Sequence, residues 1–230
     1  MAKLDTLLVD GHLTSSNELP PAFANRAFLL ADGVFESMRF TSGHVPFLAL
    51  HVQRLQAALE AHGMTIPDSL QPDALQTAIQ QWQGKWGVRS DVRIRLTAFR
   101  AGEGAYAPET DEVSWVATAA TMTEEGFGLP AKGLDVDIYQ DLVKHLGPLS
   151  KFKNLASTVY IQAARHAAQR GWGDALILNP DQRIIESSRS NLFVVSNGVL
   201  YTPSLDDGCV GGIMRSVLIR TAMDHGVKVY

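Results

Sequence analysis

The sequence is poor in cysteine. Cys209 stands alone among 230 residues, so no disulfide forms within the chain and a cysteine-based metal site is not expected. A long apolar run is missing: nothing approaches the ~18 residues that suggest a membrane span. A basic excess is missing too, since 20 Lys and Arg face 24 Asp and Glu for a formal net charge of −4. With no local basic cluster either, a nucleic-acid partner is not expected. Residues Met1 to Asp10 have neither an Arg-rich nor a signal-like layout, so the cytoplasm is the default location. Internal repeats and low-complexity tracts are absent. What is present is globular material, 46% hydrophobic and 19% charged, over a length that suits one to two domains.

Periodicity divides this material into elements. Leu7 to His12 reads as a strand entering a turn. Val34 to Phe40 and His44 to Leu48 read as a hairpin across Thr41-Ser42-Gly43. Leu48, Val52, Leu55 and Leu59 follow at spacings of four, three and four, which predicts a helix ending near His62-Gly63. A second helix is expected from Pro72 to Trp86, stopping near Gly84 or Gly87. From Asp91 to Phe99 the residues alternate, with Val92, Ile94, Leu96 and Ala98 on one face and Arg93, Arg95 and Thr97 on the other. Glu112 to Ala120 is its expected partner, across a loop from Arg100 to Tyr106. The Gly-rich stretch from Gly126 to Gly133 suggests a domain boundary near residue 122. Beyond it come a strand (Leu134 to Tyr139), a helix (Leu155 to Arg170), and strands at Ala175 to Leu178, Arg183 to Ile185, Leu192 to Val195 and Val199 to Tyr201. A last helix starts near Gly212, and Val227 to Tyr230 looks like the start of another strand.

Four local signals bear on chemistry. Lys151 and Lys153 lie just before an Ala-rich helix. A lysine desolvated at such a junction becomes a nucleophile toward carbonyls, although surface lysines are the commoner case. Glu186 closes a short apolar strand before a polar turn, where a carboxylate more often just caps the turn. Gly208-Cys209-Val210-Gly211-Gly212 leads into a helix, whose unpaired N–H groups suit an anion such as phosphate; a plain helix start reads the same way. His51 and Arg54, three apart, share a helical face from which Arg54 could present its guanidinium to an anion, or simply meet solvent. No GxGxxG or Walker pattern suggests a dinucleotide or a nucleoside triphosphate.

The order of these motifs says more than any one of them. Asn25-Arg26-Ala27-Phe28-Leu29-Leu30-Ala31-Asp32-Gly33-Val34-Phe35-Glu36, His51-x-x-Arg54-Leu55, Lys151-x-x-Asn154, Asp174-Ala175-Leu176, Glu186-x4-Asn191-Leu192-Phe193, Tyr201-Thr202-Pro203 and Gly212-Ile213-Met214-Arg215 together resemble the class IV aminotransferase family. These are pyridoxal-phosphate enzymes of fold type IV, among them branched-chain and D-amino acid aminotransferases and aminodeoxychorismate lyase. The resemblance runs from residue 25 to 215. It implies an α/β (α+β) protein with a small N-terminal α+β domain, 1–122, a larger C-terminal domain, 123–230, and pyridoxal 5'-phosphate between them. It implies Lys151 rather than Lys153 as the Schiff-base lysine, because the family's lysine lies three positions before an asparagine. It makes Glu186 the partner of the pyridine nitrogen, Arg54 a phosphate ligand, and the Ile213-Met214 turn a second phosphate contact through backbone N–H groups. Ser188 lines the cofactor on the same argument. Phe35, Ser37, Arg100 and Arg189 are candidates for the substrate. A homodimer acting on a small amino acid or 2-oxo acid is implied, with no metal.

The departures from the family pattern shape the expected activity. Ala31 replaces a common Gly before Asp-Gly. Met214 stands where many aminotransferases have Thr, as in aminodeoxychorismate lyases, and Ala156 stands where branched-chain members place Tyr. Ser37 supplies a hydroxyl that lyases tend to carry. Arg189 puts a cation into a loop usually small or acidic, within reach of a substrate carboxylate. Family chains usually continue some tens of residues further, so the C-terminal domain reads as shortened. The leading expectation is transamination. Lyase chemistry, releasing pyruvate and 4-aminobenzoate from aminodeoxychorismate, is the alternative, and a non-catalytic member lacking its C-terminal closure is a third reading.

Overall fold

A computed structural model describes residues 6–15, 25–87, 91–123, 128 and 131–230. The chain forms two compact units, the first reaching residue 129 and taking in Lys153–Ala156, the second made of Pro130–Phe152 and Ser157–Tyr230. The Gly126 to Gly133 stretch and residues Met1 to Asp10 lie partly outside the described residues.

The first unit is an antiparallel sheet backed by helices. Its strands are β1 (Thr6–Val9), β2 (His12–Ser15), β3 (Gly33–Phe40), β4 (Val92–Arg100) and β5 (Val113–Thr121), in the order β2-β1-β5-β4-β3. The alternation in β4 is what the sheet needs. Val92, Ile94, Leu96 and Ala98 are fully buried, while Arg93 and Arg95 take the other face. Helix α1 (Arg26–Leu30) is a single turn capped by the Asn25 side chain, which accepts from the Phe28 N–H at 2.9 Å. Helix α2 (Leu48–Ala61) buries Val52, Leu55, Ala58 and Leu59, and α3 (Pro72–Gln83) buries Leu75, Ile79 and Trp82. The Trp82 indole donates to Thr6 Oγ1 at 3.0 Å, so its one polar atom is paired in the core.

Three local expectations change here. His12 opens β2 rather than ending β1, because Asp10 and Gly11 take positive φ and turn the chain back. His44 to Leu48 is no strand. Thr41 and His44 exchange backbone hydrogen bonds around Ser42 and Gly43, and then Phe47, at φ 58°, redirects the chain into α2. The helix expected from Leu155 begins later, as α4 (Thr158–Arg170). The intervening backbone has another use: Phe35 N–H donates to the Lys153 carbonyl at 2.8 Å and Leu155 N–H to the Gly33 carbonyl at 2.9 Å, so Lys153–Ala156 runs along the edge of β3. On the other side Gly33 lies close against β4, where a Cβ would stand 2.5 Å from the Ala98 carbonyl oxygen.

The second unit is smaller in sheet and richer in turns. β6 (Val136–Tyr139) pairs in parallel with β7 (Asp174–Leu178) through α4, and β7 pairs antiparallel with β8 (Ile184–Ser187). Ala163 and Ala167 of α4 pack with Tyr139, Ala175, Ile177, Ile185 and Cys209 to form its core. β9 (Val194–Ser196) and β10 (Val199–Tyr201) make a hairpin, followed by α5 (Ile213–Asp224). The expected terminal strand does pair: Val229 bridges in parallel to Leu200.

Candidate active site

In the second unit, the turn before α5 ties the expected groups together. Val210 N–H donates to Glu186 Oε2 at 2.8 Å, and the Val210 carbonyl accepts from Asn191 Nδ2 at 2.7 Å. One residue on, Gly211 N–H donates to the Lys151 carbonyl at 2.9 Å. Gly212 then faces the Asn191 amide so closely that any Cβ would meet its Oδ1 at 1.9 Å. Helix α5 follows with no side-chain cap, so the first-turn N–H groups at Ile213 and Met214 are not taken up by its own N-cap. Lys151, Glu186 and Ile213-Met214 therefore hang on one hydrogen-bonded strap.

Lys151 differs from expectation in its setting. It sits in a turn, well ahead of α4, and its side chain is exposed rather than desolvated at a helix N-terminus. Its ammonium stands 5.4 Å from the centroid of the Phe152 ring. The desolvated group is Glu186, only 3% exposed. Its Oε1 accepts from Lys144 Nζ at 2.7 Å and from the Tyr160 hydroxyl at 2.7 Å. Burial, and then the Glu186 charge beside it, push the Tyr160 phenol far above its ordinary pKa, so Tyr160 stays a donor. Sequence reading missed both partners. Tyr160 had a signal, as a polar-tipped aromatic on the Ala163-Ala167 face of a helix. Lys144, in an irregular stretch between β6 and α4, had none.

Ser188 and Arg189 belong to a different arrangement. Ser187 and Ser188 donate from Oγ to the buried carboxylate of Asp174 at 2.8 and 2.5 Å, and Arg189 Nε approaches it at 3.2 Å. Arg189 also donates from Nη2 to the Gly173 carbonyl. Burial pushes the Asp174 carboxyl up, but these hydroxyls, the Ala175 N–H and the Arg189 charge outweigh it and hold it below the usual range. Asp174 thus pins the loop that follows Glu186. Both side chains are engaged in this local role.

In the first unit, Arg54 is held by a residue of β3. Its Nε and Nη2 donate to the two oxygens of Glu36 at 2.7 and 2.6 Å, and His51 Nδ1 lies 2.8 Å from the same carboxylate. The shared helical face of His51 and Arg54 is real, and it is turned to Glu36. Burial raises the Glu36 carboxyl, but hydrogen bonds from His51 and Arg54 and the Arg54 charge prevail and lower it. On the opposite face of the sheet, Phe35 is half-buried beneath two cations, Arg95 with its Cζ 3.9 Å and Lys153 with its Nζ 4.8 Å from the ring centroid. Exposed Ser37 pairs in register with Arg95. Burial, then the neighbouring Arg93, lower the Arg95 guanidinium pKa. Arg100 ends β4 instead of opening the loop expected there. It shares the inward parity of Ala98, is 7% exposed, and spends its guanidinium on Asp32, Asp111 and the His62 carbonyl. These contacts give Arg100 a structural role within the first unit.

Among the described residues, no cluster of His, Cys, Asp and Glu is placed to hold a metal ion, and no helix is long and apolar enough to cross a membrane. The family description "Amino-transferase class IV" matches residues 33–230. D-alanine aminotransferase of Listeria monocytogenes is similar at 24% identity, over 97% of this chain and 76% of the relative. Aminodeoxychorismate lyase of Bacillus subtilis is similar at 25%, over 97% of this chain and 75% of the relative. The crystal structure of a branched-chain aminotransferase from Thermoproteus uzoniensis, with norvaline, superposes with a TM-score of 0.86 at 25% identity, covering 100% of this chain and 77% of that one. The family consists of enzymes dependent on pyridoxal phosphate. The second unit's residues suit such a group: an uncapped helix start behind a glycine with no room for a Cβ, a buried carboxylate and a primary amine are all on one strap. The chain belongs to the class IV aminotransferases, pyridoxal-phosphate enzymes of the fold type IV architecture.

Proposed function

We propose that this chain moves an amino group between an amino acid and a 2-oxo acid, with Lys151 as the residue that carries the cofactor. The observation behind this reading is the strap at Val210-Gly211, which joins a buried carboxylate, the Lys151 backbone and the α5 N-terminus within one unit. Bound pyridoxal phosphate supplies a carbonyl for a lysine amine and a ring that accepts electrons. Lys151 would be the attachment point for that carbonyl and, as a free amine, the base for the proton at the substrate Cα. Glu186 holds the proton of the ring nitrogen. The Ile213 and Met214 N–H groups bind the phosphate. Arg54 is the cationic phosphate ligand, on the strength of His51-x-x-Arg54-Leu55 and of the orientation Glu36 imposes. Phe35 and Ser37 are retained as substrate-lining residues. Family membership supports a homodimer acting on small molecules in the cytoplasm.

The test compares two lysines two positions apart. Lys151→Ala abolishes the borohydride-reducible link to the cofactor, while Lys153→Ala, altered on the edge of β3, keeps it. Retention of the link in Lys151→Ala overturns the assignment. With a panel of amino acids and 2-oxoglutarate, the parent protein exchanges amino groups. A second reading rests on Met214, at the start of α5, and on Ser37. It is elimination of pyruvate from aminodeoxychorismate by the same lysine and carboxylate. Release of 4-aminobenzoate without amino-group exchange selects that reading.

A further inference from the structure

The two oxygens of Glu186 are unequally occupied. A carboxylate oxygen has two lone pairs to offer. Oε1 uses both, on Lys144 Nζ and the Tyr160 hydroxyl, each at 2.7 Å. Oε2 uses one, on the Val210 N–H at 2.8 Å, and among the described residues nothing takes the second. Lys144 is itself only 8% exposed, in a stretch whose backbone is anchored where Lys144 N–H donates to the Leu178 carbonyl at 2.8 Å. The Lys144 ammonium also lies 5.3 Å from the Tyr160 ring centroid. Cation, phenol and carboxylate thus form one buried group with a single acceptor position left.

We propose that Lys144 is a positioning residue for the cofactor's ring nitrogen: with Tyr160 it fills Oε1 of Glu186, leaving Oε2 as the one acceptor the carboxylate can turn to that nitrogen. This rests on the reading that Glu186 is the ring-nitrogen partner. Lys144 touches Glu186 and acts through it. It supplies the counter-charge that a buried carboxylate needs, and its short hydrogen bond opposes rotation of the carboxylate about its last side-chain torsion. Without it, the buried carboxylate has lost its cation and Oε1 is free to compete for the ring N–H.

The test reads binding, not turnover. Apoprotein is titrated with pyridoxal phosphate and with the analogue whose ring nitrogen is replaced by CH. Both carry the phosphate and the carbonyl, so the ratio of their dissociation constants isolates the contact at the ring nitrogen. In the parent protein the natural cofactor is favoured by about ten- to a hundredfold, the scale of a hydrogen bond to a charged group. Glu186→Gln collapses that preference toward unity. Lys144→Met reduces it at least several-fold toward the Glu186→Gln value, Lys144→Arg restores most of it, and Tyr160→Phe lowers it less than Lys144→Met does. If Lys144→Met weakens both ligands equally and leaves the ratio unchanged, Lys144 is merely structural and the inference falls. If Glu186→Gln leaves the ratio unchanged, the ring-nitrogen reading itself falls. Should Lys144→Met not fold, Lys144→Gln decides: an unchanged ratio overturns the proposal, and a reduced ratio supports it.

Discussion

Two carboxylates, one in each unit, are almost equally buried and differently used. Glu36, 2% exposed, meets the Arg54 fork with both oxygens and has His51 on the same group. Glu186, 3% exposed, has a lysine and a phenol on one oxygen and a backbone N–H on the other. The first arrangement consumes the carboxylate in orienting an arginine. The second compensates the charge from one side and keeps an acceptor in hand on the other. Burial of a charge requires a partner in both cases, but how the partner is placed decides whether the carboxylate keeps an acceptor position open.

Exchanging each carboxylate for its amide is the sharpest way to break this comparison. Glu186→Gln is expected to bind cofactor yet lose turnover by about a hundredfold, because a neutral amide does not hold the ring proton. Glu36→Gln is expected to act first on folding, costing about 3 kcal/mol, since it leaves a buried arginine short of its counter-charge. Steady-state kinetics at saturating cofactor and denaturant melts separate the two. Equal turnover losses in both variants would erase the distinction.

Arg54→Ala sharpens it from the other partner. The cofactor dissociation constant should rise about ten- to a hundredfold, the loss of a charge-assisted contact, with a smaller effect on turnover at saturation. Stability falls as well, because Glu36 is left buried with His51 alone. The double variant Arg54→Ala/Glu36→Gln should recover part of that stability and none of the affinity. An affinity equal to the parent's would remove Arg54 from the phosphate.

The smallest effect is on acid stability. The folded Glu36 carboxyl lies below its ordinary value of 4.5, so its stabilisation is complete above that pH and drains away as pH falls through the lower folded value. Asp174 contributes in the same direction in the second unit. Thermal melts between about pH 5 and 2 should therefore slope less steeply in Glu36→Gln than in the parent. Parallel slopes would mean that Glu36 is not held in its ionised form by its neighbours.

Much of this was open to reading along the chain. The apolar stripe of α2 and the alternation of β4 report local geometry, where a side chain's neighbours are set by backbone period alone. The motif order singled out Lys151, Glu186 and the Ile213-Met214 turn, which the structure joins through Val210 and Gly211. Arg100 was misread because a charged residue after an alternating strand reads as the start of a loop. Parity puts it inside, and only the convergence of Asp32, Asp111 and the His62 carbonyl makes an arginine tolerable there. The start of α4 was misread because the competitor for residues 153–156 is the edge of β3, more than a hundred positions away in sequence.

The sequence by itself therefore determined the elements, the family and which residue types stand at the chemically charged positions. These are properties of short spacings and of motifs in order. Tertiary structure alone decided which of those residues have partners. Lys144 and Tyr160 reach Glu186 from 42 and 26 positions away, and Val210 from 24. A buried charge is governed by whatever atoms lie within about 3 Å of it, and sequence distance carries no information about them.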